Sequence, residues 1–371
     1  MLETIRIYAQ DQLRAVAELD AVRRAHAQHY LMIAQQMGGR VSRGGDEVLE
    51  ARRRLERDLD NLREALTWTL GEVSGQAPSD VTQIGLELCA GLVQFWWYSG
   101  YYAEGQNWLE QAVTSAGHRD SRALGTCLTW LSQYLGERDS SRASAVAAQS
   151  VAMWRRLADN GELVAALSRL GVAEELLGNM GAAREALEEG VTLARKADAK
   201  PALADTLMNL GILESVEHNY ERSLEILTES VSVTRELGDQ YSLLQVRHNL
   251  ACTLRRMGEL QEARRQMRGQ IPQMLRLAAP DLLIALAEDY AALLAETGDH
   301  ERATRLFGSA DAMRERLGVL RQSIQQIEIE EPLAKTRAAL PPSAWDHEYQ
   351  LGHSMTIEAA LTEAYAANAP A

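Results

Sequence analysis

Much of what would mark an enzyme or a nucleic-acid binder is missing from this sequence. No Gly-x4-Gly-Lys-Ser/Thr phosphate loop occurs, and there is no Gly-Lys dipeptide anywhere. A nucleotide motor built on such a loop is therefore not among these residues. GxSxG, HExxH, GxGxxG and the EF-hand loop are also absent. Basic residues number 38 against 52 acidic ones, giving a net charge of -14, and only three of the 38 are lysines (Lys196, Lys200, Lys335). Phosphate contacts supply most affinity for nucleic acid, so no direct nucleic-acid binding is expected. The arginine bias fits a GC-rich coding sequence. Cys89, Cys127 and Cys252 are far apart and form no CxxC pair, which fits reduced thiols better than a disulfide framework or a zinc site.

Long hydrophobic runs are missing too. The most apolar window, Ile84 to Tyr98, contains Glu87 and Gln94 and is too short to span a bilayer. Glu3, Arg6 and Asp11 interrupt the first apolar stretch, so no signal peptide is expected. A soluble, cytoplasmic protein without membrane contact follows as the expectation. No segment alternates with period two over β-branched residues, and there are only eight prolines and two phenylalanines. This composition, rich in Ala, Leu, Glu and Arg, belongs to a helical protein. The eight histidines are scattered; His26 and His29 share a helix face but lack a third ligand. Glu328, Glu330 and Glu331 read as a solvated acidic run before Pro332. No metal, cofactor or catalytic residue is expected.

What is present is a register of 40 residues. Leu170, Leu210, Leu250 and Tyr290 form one series, Gly178, His218, Gly258 and Gly298 a second, and Ala183, Ser223, Ala263 and Ala303 a third. Self-similarity at this period marks an array of one supersecondary unit, and arrays usually bind rather than catalyse. Each unit predicts a helical hairpin. The small residue after the first Leu lets the partner helix approach, and Gly at the helix end accepts a left-handed backbone. The Asn or Asp that follows is suited to cap the second helix. Leu187, Leu227, Met267 and Phe307 should fill the layer between hairpins. Trp130-Leu131 and, shifted by about two residues, Leu92 with Gly100 to Gly105 mark two earlier units.

The Leu-Gly pair, mid-repeat Gly and second-helix Ala resemble the tetratricopeptide repeat, although the terminal Pro is missing and the period exceeds the usual ~34. The resemblance implies an all-α fold: a right-handed tetratricopeptide superhelix of about six hairpins over 81–318, an N-terminal helical bundle over 1–70, and a C-terminal helical cap over 319–371. The cap would rest on Trp345 and on Leu351 to Tyr365. In that family the first helix of each hairpin lines a concave groove. The implied groove positions are Ala165, Ser168, Val172 and Glu175; Asp205, Met208, Ile212 and Ser215; Gln245, His248, Cys252 and Arg255; and Ala285, Glu288, Ala292 and Ala295. Asn209 and Asn249 are compatible with either a structural or a groove-lining role. The mixed small, apolar and polar character suits a partner helix or a small apolar molecule better than a peptide carboxylate.

Flanking segments carry a second resemblance. Met1-Leu-Glu-Thr-Ile-Arg-Ile-Tyr-Ala, Ala21-Val-Arg-Arg-Ala-His26, Leu59-Asp-Asn-Leu-Arg-Glu-Ala65, Phe95-Trp-Trp-Tyr-Ser-Gly100 and Leu306-Phe-Gly-Ser-Ala-Asp-Ala are similar to segments of large bacterial STAND regulators with an AfsR-like or LuxR-like plan. That implies a sensor region that binds a small-molecule effector, peptide or protein partner, as a monomer or homo-oligomer, with its NTPase module outside this chain. A stand-alone scaffold is the alternative. An enzyme with a site at the aromatic cluster Phe95, Trp96, Trp97, Tyr98, Tyr101, Tyr102 and Trp108 is a third reading. The cluster either fills the junction before the first hairpin or forms a binding platform, with Trp97 and Tyr101 on one helix face. The binding candidates are thus Trp97, Tyr101, Ser168, Asp205, Met208, Gln245, His248, Arg255 and Glu288.

Overall fold

The computed structural model describes Tyr8 and residues 11–41, 46–71, 79–117, 120–136, 138–319, 321 and 323–366. Most of the first flanking segment and residues 367–371 lie outside these. The described residues contain helices and no strand. Three helices lead in: α1 (Leu19–Gly38), α2 (Asp46–Arg57) and α3 (Leu59–Leu70). Six hairpins follow: α4 (Ser79–Tyr98) with α5 (Tyr102–Ala116), α6 (Arg122–Leu135) with α7 (Ser140–Leu157), α8 (Asn160–Leu176) with α9 (Met180–Lys196), α10 (Lys200–Val216) with α11 (Tyr220–Leu237), α12 (Gln240–Arg256) with α13 (Leu260–Leu277), and α14 (Pro280–Glu296) with α15 (His300–Leu317). Three more, α16 (Ser323–Ala339), α17 (Pro342–Ser354) and α18 (Ile357–Ala366), close the chain's described part.

The register governs hairpins three to six. Their first helices start at 160, 200, 240 and 280 and their second helices at 180, 220, 260 and 300. Gly178, His218, Gly258 and Gly298 all have positive φ (80°, 63°, 85° and 89°). The turn thus imposes a left-handed residue on every unit, including the one that has no glycine there. Ala183, Ser223, Ala263 and Ala303 are fully buried, as are Leu187, Leu227 and Met267, and Phe307 is nearly so. Gly211 shows why the residue after the first Leu is small: a Cβ there would come within 2.7 Å of the Leu227 side chain. A second left-handed series, Ala158, Asp198, Gly238, Ala278 and Gly318, ends the second helices at the same 40-residue interval.

One expectation about capping is overturned. Asn179, Asn219 and Asp299 precede the second helices but make no side-chain cap bond. Asn179 and Asn219 instead donate back to Glu174 and Glu214 of the preceding helix, at 2.8 and 2.9 Å. Side-chain caps do occur at the first helices of hairpins, where Asp159 and Asp239 accept from the amides of Glu162 and Ser242 at 3.1 Å.

The flanks dock through glycine. A Cβ on Gly38 would collide with the Gly91 carbonyl, so α1 and α4 cross at backbone distance. Gly308 and Gly352 do the same for α15 and α17. Trp345 stacks on Tyr349 (5.0 Å, 14°), donates to Thr336 at 3.0 Å and lies under Arg337. Leu351 and Tyr365, in contrast, are exposed.

The solenoid curls until it meets itself. The ring of Tyr98, at the end of α4, packs against Tyr241 at the start of α12, centroids 4.4 Å apart. Gly100 approaches Pro280 and Leu317, and Arg138 donates to the Gly318 carbonyl.

Candidate functional site

Hairpins one and two touch hairpins five and six, and the concave face between them is a partly open cavity of about 1310 Å³. Its wall runs from Ala34 of α1, through the first helix of each hairpin, to Ile329 of α16. The lining repeats at the 40-residue interval. Ala165, Asp205, Gln245 and Ala285 form one column; Arg169, Asn209, Asn249 and Asp289 form another; Glu162, Ala202, Ser242 and Leu282 form a third, nearer the helix starts. Of the last two columns, the sequence reading singled out only Asn209 and Asn249, as either structural or groove-lining. Their signal was there in register with the first Leu, but which face of a curved helix looks inward depends on the curvature.

Six sequence candidates line the cavity: Trp97, Asp205, Met208, Gln245, His248 and Glu288. Three lie behind the wall. Ser168 is fully buried, donating to Asp205 at 2.8 Å and accepting from Asn209 at 2.8 Å. Arg255 is buried among Glu296 (2.7 Å), Glu328 (3.7 Å) and Asp289 (3.8 Å). Tyr101 does not share the Trp97 face, because α4 ends at Tyr98 and Gly100 is left-handed. Its ring packs on Phe95 at 5.4 Å and faces the charges of Glu56 and Arg63. Ser215 is a further correction: it is buried, not groove-facing, and accepts from Arg256 at 2.6 Å and Thr253 at 3.2 Å.

The aromatic cluster divides between the junction and the cavity wall. Phe95 and Trp96 are fully buried in the junction. Trp97 and Tyr98 look into the cavity with Trp130. Trp97 is ringed by Tyr102, Tyr134 and Trp130, at 5.3, 5.1 and 6.4 Å.

The opposite wall is charged. His248 Nε2 lies 2.9 Å from Asp289 and 3.5 Å from Cys252 Sγ. Burial alone would push the imidazole down; the adjoining Cys252 and Asp289 outweigh it and raise it to about 10. Burial pushes the Asp289 carboxyl up, but the hydrogen bond from His248 and the charges of His248, Arg255 and Arg256 hold it down at about 2. Arg256 also pairs with Glu328. Glu328 is therefore half-buried in a network rather than part of a solvated run, while Glu330 and Ile327 are exposed. Glu288, 3% exposed, is clamped by Arg314 and Arg321 at 2.8–3.0 Å.

His248, Cys252 and Asp289 have ligand atoms within 4.8 Å of one another, so in spacing they could hold a metal ion. Two arginines beside the carboxylate already supply positive charge, and the imidazole keeps its proton. The trio is also no catalytic triad: both neighbours meet Nε2, Nδ1 has no partner among the described residues, and burial raises the Cys252 thiol.

With this geometry in view, the similarities to known proteins are specific. A family profile described as tetratricopeptide repeat matches residues 202–268, across hairpins four and five. The chain carries tetratricopeptide repeats. A second profile, anaphase-promoting complex subunit 5, matches residues 138–208. Proposed HTH-type transcriptional regulators of Mycobacterium tuberculosis and Mycobacterium bovis are 28% identical over 212 residues, 54% of this chain. The match spans only 22% of the length of those curated relatives. Among solved structures, a Rap protein in complex with competence and sporulation factor superposes with a TM-score of 0.60 at 10% identity, covering 91% of this chain and 99% of that one. Aspartyl phosphate phosphatase F from Bacillus subtilis gives 0.53 at 13% identity, with 90% and 94% covered. At these identities the likeness is one of fold. Among the described residues no helix is long and apolar enough to cross a membrane.

Proposed function

We propose that this chain is the effector-sensing and protein-interaction region of a bacterial multidomain transcriptional regulator, and that its effector is a short peptide held in the concave cavity. The observation that carries this is the cavity itself. At about 1310 Å³ it exceeds the roughly 300–1,000 Å³ of most small-molecule pockets. It offers aromatic surface on one side and hydrogen-bonding side chains on the other. The regulator relatives and the Rap protein solved with its factor support the reading.

A ligand touching several hairpins at once would favour one curvature of the array over others, and would act on the contacts that close it, Tyr98 on Tyr241 and Arg138 on Gly318. Modules attached at either end would feel the change.

Affinity selection from a random hexapeptide pool, read by mass spectrometry, tests the site. Met208→Trp places a large ring into the cavity and should cut retention by about tenfold or more, the equivalent of one or more kcal/mol. Equal retention by both proteins would put the peptide elsewhere. In the cell of origin the same substitution should alter transcript levels; an unchanged profile would remove the regulatory part of the reading.

A further inference from the structure

The cavity wall contains a carboxyl group with nothing to do. Asp205, Glu288, Asp289 and Glu328 each have a cationic partner. Asp281 accepts from Tyr241, and Asp239 from Ser242. Glu175, at the C-terminal end of α8, lines the same cavity with no hydrogen bond or ion pair to its side chain among the described residues, although it is only 7% exposed. The charges that reach it are Arg256 of α12, Glu217 after α10 and Glu328 of α16. Arg256 is already committed to Glu328 and Ser215, and no cation is paired with Glu175 among the described residues.

A buried carboxyl without a partner costs free energy that folding alone does not recover, and such groups are uncommon. Its one open direction is the cavity. A ligand that brought an ammonium or guanidinium to that position would give Glu175 the ion pair it lacks, in a setting where charge-assisted hydrogen bonds are strong. The apolar remainder of such a ligand has Trp97, Tyr98 and Trp130 in the lining of the same cavity.

We propose that Glu175 is the anchor for a positively charged group on the cavity's ligand, making the effector a basic peptide with an apolar body. This rests on the cavity being the ligand site. A pH signature follows. Burial, with Glu217 and Glu328 adding to it against Arg256, raises the free carboxyl to about 7. The cation binds the ionised form, so affinity should rise between pH 6 and pH 8 and a proton should be released on binding below pH 7.

The test uses the full chain and two hexapeptide pools that differ at one position, arginine in one and its neutral isostere citrulline in the other. Retention is read by affinity-selection mass spectrometry at pH 6 and pH 8. Wild type should favour the arginine pool by about tenfold at pH 8, since a charge-assisted hydrogen bond contributes that order of discrimination, and by less at pH 6. Glu175→Gln, nearly isosteric, should erase the preference while still retaining apolar members of both pools. Glu185→Gln, on the exposed face of α9, should leave it intact. A preference that survives Glu175→Gln, or equal retention of both pools by wild type, overturns the inference and leaves the cavity reading standing. Retention of neither pool by any of the proteins overturns both.

Discussion

Hairpins three to six and hairpins one and two reach the same fold by different packing. In the later four, small residues recur at fixed positions: Gly171 and Gly211 against Leu187 and Leu227, and buried Ala183, Ser223, Ala263 and Ala303 at the crossing. In the first two, large rings fill the interior, and glycine makes room for them. Gly105 lies under Tyr134 and Trp96, and Gly125 under the Trp154 indole, which also donates to Thr129 at 3.2 Å. In the periodic half each repeat packs chiefly on its neighbours. The aromatic half is a one-off fit. It also supplies the surface, Tyr98 and Gly100, on which the curl of the array closes.

The largest break in this comparison should come from a charge in the periodic core. Leu210→Glu buries a carboxylate among apolar side chains, since Leu210 is 4% exposed and belongs to an apolar cluster with Leu187, Leu207 and Leu213. Destabilisation of more than about 4 kcal/mol is expected, with loss of the cooperative melt by circular dichroism. A near-normal melt would mean that hairpin four is not the keystone of the periodic half.

Next in size is the charged wall between hairpins five and six. Arg255→Met leaves Glu296 without its cation and removes a positive charge beside Asp289 and Glu328, and breaking a buried pair this way costs about 3–5 kcal/mol. The His248–Asp289 pair gives that wall a pH window. The imidazole is raised above its unfolded value, so its contribution is complete below about pH 6.5 and is lost as pH climbs towards 10. The Asp289 carboxyl is depressed, so its contribution is complete above about pH 4 and is lost as pH falls towards 2. Thermal melts of His248→Gln against wild type should differ most between pH 4 and pH 6.5 and converge near pH 10. A constant difference would show that the pair is not ionised as described.

Gly125→Ala probes the aromatic half. A Cβ there would come within 2.5 Å of the Trp154 ring, which Thr129 and Ser150 hold in place. Overpacking of this kind costs about 1–3 kcal/mol, read as a lower midpoint in urea. If the midpoint were unchanged, the ring could move aside and the fit would be looser than its hydrogen bond implies.

How much of this was readable beforehand follows the same division. The phase of six hairpins, the left-handed turns at Gly178 and its equivalents, and the inward column through Asp205 and Gln245 depend on contacts within one or two repeats, which a sequence period encodes. Closure of Tyr98 on Tyr241 depends on curvature accumulated over four hairpins, and no single position announces it. The fate of Ser168, Ser215 and Arg255 was hidden for a related reason. They stand on nearly the right face, but the helices are turned so that the residue before the first Leu, such as Asn209 or Asp289, looks into the cavity and these three fall behind it. The second left-handed series was unreadable because two of its positions are alanines, Ala158 and Ala278, and alanine seldom adopts that conformation.

The smallest effect expected is also the sharpest test of how strictly the register rules. His218 occupies the left-handed turn that glycine fills in the other three units, with φ of 63°. A side chain in that conformation costs about 1–2 kcal/mol, while glycine gives back part of the difference through the entropy of the unfolded chain, about 0.4–1 kcal/mol. His218 also contacts the Tyr220 hydroxyl at 2.7 Å, an exposed bond of small value. His218→Gly should therefore stabilise the array by about 0.5 kcal/mol or slightly more, whereas Gly178→Ala at the equivalent turn should destabilise it by a similar amount. Paired urea titrations resolve the opposite signs. If both substitutions moved the midpoint the same way, the turn in hairpin four would be held by its own side chain and not by the backbone that the repeat imposes.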